Sequence, residues 1–159
     1  MSGKLAGELR QSKGFDSLEQ EALLNLARTH EFIQQRISEF FKPFQLTATQ
    51  YNILRILRGA GEHGISCSKA SERMVTADPD ITRLLDRLES RGLIARERSQ
   101  EDRRVVMSRI TTAGLELLKA IDKPLMEFGK RVMGHVGRER LEQLIDTLES
   151  IRHADASQS

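Results

Sequence analysis

Residues 78–114 read DPDITRLLDRLESRGLIARERSQEDRRVVMSRITTAG. In its first part, Ile81, Leu84, Leu85 and Leu88 recur at i, i+3, i+4 and i+7, the spacing of one helix face. Asp78 reads as the N-cap of this helix. Pro79 follows at the first helical position, where its missing N–H is no loss. Gly92 stops the helix just after Arg91. The period then changes from helical to two. Leu93–Arg98 and Val105–Ile110 predict a pair of short strands, the second turning Val106, Ser108 and Ile110 toward the domain. Between them, Ser99–Arg104 is polar throughout and cannot pack. A hairpin tip of this kind is either a solvated turn or a device that reaches out to a polyanion.

Upstream, Ser66–Met74 predicts a short helix and Val75–Ala77 a turn. Together with the helix of residues 79–91 this makes a helix-turn-helix, and the hairpin behind it makes the unit a winged helix. Before it, Thr47 caps a helix with Tyr51, Leu54 and Leu57 along one face, broken by Gly59, Gly61 and Gly64. Further out, Asp16 or Ser17 opens a helix to about Phe41. Leu23, Ala27, His30, Ile33, Ile37, Phe40 and Phe41 lie along it, and Pro43 ends it. On the other side, Thr111 or Thr112 caps a helix to about Met133. Pro124 kinks or divides that helix, with Asp122 available as a second cap. Gly134 and Gly137 precede a last helix striped by Leu141, Leu144, Ile145, Leu148 and Ile151.

The fold class expected is therefore mainly α with a small β-wing. A flexible N-terminal arm (1–16) is followed by an N-terminal dimerisation helix (17–45). The winged helix-turn-helix domain (46–112), C-terminal dimerisation helices (113–153) and a tail (154–159) complete the chain. The flanking helices are too long and too apolar for the small centre to cover. They are expected to bury their stripes against each other and against a second copy, as a symmetric homodimer.

The composition agrees. In 159 residues, 38% are hydrophobic, 30% charged and 4% aromatic, a profile of helices with wet faces. The net charge is only +2, so a nucleic-acid face must come from local clustering. Such clustering exists. Arg91, Arg96, Arg98, Arg103, Arg104 and Arg109 stand against Glu97, Glu101 and Asp102, a local excess of +3. One cysteine, Cys67, excludes an internal disulfide framework and fits a reducing compartment. The N-terminus shows no signal peptide, and no stretch nears the roughly 18 apolar residues of a membrane helix. A soluble, cytoplasmic protein with no membrane partner is expected. No phosphate-binding glycine loop, catalytic triad or carboxylate pair can be placed, so neither an enzyme nor a cofactor is expected. His30, His63, His135 and His153 lack ligand spacing, and no metal site is expected.

The second helix of a helix-turn-helix enters the major groove. With its leucines buried, residues 79–91 present Asp80, Arg83 and Arg87 outward, with Pro79 and Thr82 near the start. Arg83 suits a bidentate contact to guanine, Asp80 an acceptor for cytosine N4, and Thr82 a phosphate or a thymine methyl. Each correct bidentate pair is worth about 1–3 kcal/mol of discrimination. The alternative is that Asp80 and Arg83, three apart, form only a weak surface pair. In the wing, Arg103 and Arg104 suit the narrow, negative minor groove, and Asp102 holds an arginine side chain in place. Lys69, Thr76 and Arg98 complete the DNA-binding set, with Lys69 and Arg98 as phosphate contacts.

Asp102-x-Arg104, six residues, Thr111, two residues and Gly114 fit the DxRxxxxxxTxxG signature of the MarR family of bacterial transcription regulators. The preceding ITRLLDRLESRGLI resembles that family's recognition helix and first wing strand, and LTATQYNILRIL (Leu46–Leu57) its second helix. The resemblance covers roughly Thr47–Leu118. It implies a homodimer that binds a palindromic operator in double-stranded DNA. It further implies a repressor, often one released by a small-molecule effector. The sequence departs from the family at Ala77-Asp78-Pro79-Asp80, where small or hydroxyl residues are usual.

Two residues offer other readings. Cys67, near the start of a predicted helix, is either a small buried residue or the thiol of an oxidant-sensing regulator. His30 interrupts an apolar face. It either lines a ligand pocket or is a satisfied polar group at the dimer interface. A dimeric protein-interaction module is the rival to DNA binding, and salt dependence separates the two.

Overall fold

The structure is a computed structural model and describes residues 4–153. The chain divides after Ala48 into two compact units.

In the first unit, α1 (Leu5–Glu8) is a single helical turn and α2 (Leu18–Phe41) a long helix. Ser17, not Asp16, is the N-cap of α2. Its Oγ accepts the Gln20 N–H at 3.2 Å, while Gln20 Oε1 accepts the Asp16 N–H at 2.8 Å. These reciprocal bonds satisfy two amides that the helix itself leaves free. Past Phe41, Pro43 lies in a 3₁₀ turn (Lys42–Phe44), which Gln45 closes in the left-handed region at φ 53°. Within the expected arm over residues 1–16, Leu5–Glu8 is helical and Leu5 is buried, where it gains by leaving water. The start of that arm, residues 1–3, and the expected tail, 154–159, lie outside the described residues. Phe41 is the buried residue of α2, and Leu18, Leu23, Leu26 and Phe32 stand exposed along it.

The division falls just inside α3 (Ala48–Ala60), and the second unit holds the rest of that helix with β1 (Ile65–Ser66), α4 (Cys67–Glu72), α5 (Ile81–Ser90), β2 (Ile94–Arg98), β3 (Val106–Ile110), α6 (Thr112–Met133) and α7 (Arg138–His153). Its core is aliphatic. Ile53, Leu54 and Leu57 of α3, Leu85 and Leu88 of α5, Ile94 of β2 and Leu118 and Ile121 of α6 are fully buried. The strands form an antiparallel sheet in the order β1-β3-β2, with Ile94 opposite Ile110, Arg96 opposite Ser108 and Arg98 opposite Val106. Strand β1 went unpredicted. It is two residues long and exists only because Ile65 and Ser66 pair with Ser108 and Met107.

Several expected boundaries move for local reasons. Ser66 caps α4 instead of lying within it, accepting the Lys69 N–H at 3.4 Å. That helix ends by Arg73, and Asn52 Oδ1 takes the Val75 N–H at 2.9 Å, so the turn is pinned from α3. Asp78 does not cap α5 and Pro79 is not its first residue. Asp78 Oδ1 accepts the Asp80 N–H at 2.8 Å, a local turn that holds Asp78–Asp80 out of the helix and leaves Asp80 as N-cap. Pro124 does not divide α6, which runs unbroken to Met133. The residue that might have capped a second helix is engaged elsewhere, since Asp122 receives Arg58 Nη1 at 2.8 and 3.1 Å. Val106 is exposed rather than hidden, because the end of β3 nearest the tip borders an open cleft. No residue of α7 is buried, and Leu144, Ile145 and Ile151 of its stripe are exposed. No described helix is long and apolar enough to cross a membrane.

Candidate nucleic-acid interface

Helix α5 turns Leu84, Leu85 and Leu88 inward, which forces Thr82, Arg83, Asp86 and Arg87 outward. Arg83 Nε lies 3.2 Å from Asp80 Oδ2 with both side chains well exposed, so the pair is weak and opens at little cost. Asp80 itself makes no side-chain cap to α5.

The tip of the wing is a built turn. Ser99 N–H donates to the Val105 carbonyl at 2.8 Å and Val105 N–H to that of Asp102 at 2.9 Å. Ser99 Oγ accepts the Glu101 and Asp102 amides at 3.2 and 3.4 Å. Asp102 organises backbone, not an arginine side chain. Its Oδ1 accepts the Arg104 N–H at 2.9 Å, the local turn that an aspartate makes with the amide two residues on. Arg98 is likewise partly committed, its Nη1 donating to the Arg103 carbonyl at 3.0 Å across the hairpin. Arg109 is paired with Glu97 at 3.0 Å. The guanidinium groups of Arg87, Arg103 and Arg104 have no carboxylate within ion-pair distance among the described residues, and all three are exposed. Along α5 and the hairpin, the arginines left without a carboxylate therefore include one on the helix and two at the wing tip.

A cleft of about 520 Å³ brings these two elements together, lined by Thr82 of α5, Arg104 and Val106 of the wing, and Cys67 and Ser68 of α4. Cys67 is half-buried on its wall. Ser108, also on the wall, is buried with its Oγ unpartnered. Lys69, Thr76 and Pro79 are exposed, on α4 and in the connection to α5. His30 is exposed on α2. It is not among the residues lining the groove beside it, which include Glu8, Arg28 and Phe32. Among the described residues no three His, Cys, Asp or Glu side chains cluster as metal ligands do.

The end of the hairpin is clamped by Thr111 and Gly114. Thr111 N–H donates to the Leu93 carbonyl at 3.1 Å, Thr111 Oγ1 donates to the Gly92 carbonyl at 2.6 Å, and the same oxygen accepts the Gly114 N–H at 3.2 Å. Gly114 is needed because a Cβ there would lie 2.3 Å from the Leu93 carbonyl oxygen. Three members of the signature thus shape the backbone: Asp102 the tip, Thr111 and Gly114 the root.

Sequence reasoning missed Arg96. It donates through Nε to Glu89 Oε2 at 2.9 Å, and through Nη2 to Glu89 Oε2 at 2.6 Å and Asp86 Oδ1 at 2.5 Å. The hydrogen bond to Glu89, helped by that to Asp86, raises the guanidinium above its ordinary value, so Arg96 is a fixed cation. A signal existed. Arg96 shares the period-two phase of inward-facing Ile94 and follows two acids three apart on the preceding helix.

Comparison with known proteins agrees with this geometry. Residues 46–106 match the MarR family. The crystal structure of a MarR transcription factor from Planctomyces limnophilus is 44% identical, covering 85% of this chain and 98% of that one with a TM-score of 0.67. An uncharacterised HTH-type regulator of Bacillus subtilis, YdgJ, is 31% identical over 68% of this chain, a match that spans 65% of that protein's own length. The fold is also that of MepR from S. aureus in its DNA complex, at a TM-score of 0.73 and 22% identity over 84% of this chain and 96% of that one. With nearly the whole of the Planctomyces protein matched at that identity, the chain belongs to the MarR family of transcription regulators.

Proposed function

We propose that the chain binds double-stranded DNA as a homodimer, recognises a palindromic operator and acts as a repressor. The observation that carries the reading is the placement of unpaired, exposed arginines on both α5 and a pre-formed wing tip, with one cleft between them. Arg83, Thr82, Asp80 and Arg87, with Pro79 before them, read the major groove. Arg103 and Arg104 enter the minor groove, and Asp102 keeps their backbone in shape. Lys69 and Arg98 contact phosphates, and Thr76 completes the DNA-binding set. Dimerisation, through 17–45 and 113–153, is supported by apolar side chains that stand in solvent on α2 and α7. In a two-fold dimer the two α5 helices meet half-sites one DNA turn apart, about 34–36 Å, and the operator mirrors that symmetry. A small-molecule effector, if bound, acts by releasing this complex.

The test is a fluorescence-anisotropy titration of the full chain against the DNA flanking its own gene, beside a scrambled duplex, at two salt concentrations. Preferential binding that weakens with salt by about 0.9 log unit per phosphate contact and log unit of salt supports the reading. Arg83→Ala is expected to relax sequence preference, and Arg103→Ala to weaken all sequences alike. The reverse pattern, or binding indifferent to salt, overturns it in favour of a protein-interaction module.

A further inference from the structure

Along β2 the side chains alternate, and Arg96 shares a face with fully buried Ile94. In register it stands opposite Ser108, also buried. The guanidinium therefore lies on the inner face of the hairpin, with only 22% of the side chain exposed. Stability alone gives no reason for a charge there. Asp86 and Glu89 are 52% and 39% exposed, and ion pairs open to solvent in this way add little to stability. What the ion pair supplies is direction. The planar fork of Arg96 engages Asp86 and Glu89, three apart on α5, at 2.5–2.9 Å. A contact of this kind fixes angle as well as distance, which an apolar contact does not. It ties the strand that leads into the wing tip to the helix that carries Arg83 and Arg87.

We propose that Arg96 is a positioning residue that sets the wing against α5, so that the wing arginines and the helix arginines meet one duplex together. Arg96 does not itself touch DNA. This inference rests on the DNA-binding reading above. Its consequence is energetic coupling, since the contribution of Arg103 at the tip depends on Arg96 midway along the same strand pair.

The experiment is a double-mutant cycle on the full chain. Affinity is measured by anisotropy against the duplex that the wild-type chain selects from a random pool. The variants are Arg103→Ala, Arg96→Met, Arg96→Lys and the two doubles, with a circular-dichroism melt of each. Arg103→Ala is expected to weaken the wild-type chain roughly tenfold and the Arg96→Met chain less than about twofold, because a wing that has lost its direction has little left to lose. Arg96→Lys keeps the charge beside Asp86 and Glu89 and loses the fork, so the effect of Arg103→Ala is expected to shrink there too. If Arg96→Met fails to fold, the lysine variant carries the test alone. Equal fold-losses from Arg103→Ala in every background overturn the inference. So does a lysine variant that matches the wild type, which would leave only neutralisation of two acids. A wild-type chain that selects no duplex removes the DNA-binding reading itself, and this inference with it.

Discussion

Placing a methyl group on Gly114 separates two ways of reasoning about this chain. On helix propensity alone, Gly114→Ala in the first turn of α6 should stabilise by up to about 1 kcal/mol. The structure reverses the sign. The new Cβ would lie 2.3 Å from the Leu93 carbonyl oxygen and 2.6 Å from Ile110 Cγ1, so the helix start must move by roughly an ångström. Overpacking of this kind costs about 1–3 kcal/mol. The displacement also strains the two bonds by which Thr111 holds the hairpin, to the carbonyls of Leu93 at 3.1 Å and Gly92 at 2.6 Å. Each is worth about 1 kcal/mol. Set against the propensity gain, the net loss is about 2–4 kcal/mol, or roughly 4–16 °C in Tm for a chain of this size. Urea and thermal unfolding followed by circular dichroism measure it, at one fixed protein concentration because association shifts apparent stability. Gly129→Ala is the control. It lies in the same helix with nothing within 4 Å of its added Cβ, and is expected to be neutral or stabilising by up to about 1 kcal/mol. A Gly114→Ala protein that melts with or above the wild type would refute the reasoning.

Three further outcomes are expected. Asn52→Ala removes the acceptor of the Val75 N–H and should lower the urea-unfolding free energy by about 1–2 kcal/mol. Asp102→Ala frees the Arg104 amide in an exposed turn. It should change stability by less than about 1 kcal/mol while weakening binding in the anisotropy assay, and equal affinity would show that the tip needs no preset shape. Asp122→Asn breaks the partly exposed pair with Arg58 and should cost under about 1 kcal/mol, falling toward zero in thermal melts at high salt.

The elements that were legible in the sequence are those whose causes lie within a few residues. The leucines of α5 at helical spacing, the polar tip at Ser99–Arg104 and the threonine that caps α6 each act through neighbours in the chain. Where local rules conflict, the sequence is ambiguous. Asp78-Pro79 looked like a cap and first residue, yet the Asp78 carboxylate spends its hydrogen bond on Asp80 and delays the helix. Pro124 reads as a kink or a division, and α6 is not divided there while Asp122 turns to Arg58.

What the sequence by itself determined was the order of elements and the arginine-rich hairpin behind a helix-turn-helix, because periodicity and capping are short-range. Tertiary structure alone decided which charges are free. Whether an arginine faces DNA or a carboxylate depends on residues brought close by folding: Arg96 is taken by Asp86 and Glu89, Arg109 by Glu97, and Arg87, Arg103 and Arg104 are left over. The same holds for β1, whose two residues form a strand only because β3 is there to pair with them. Coulombic and ladder partners are set by distance in space, and sequence spacing fixes that distance only within an element.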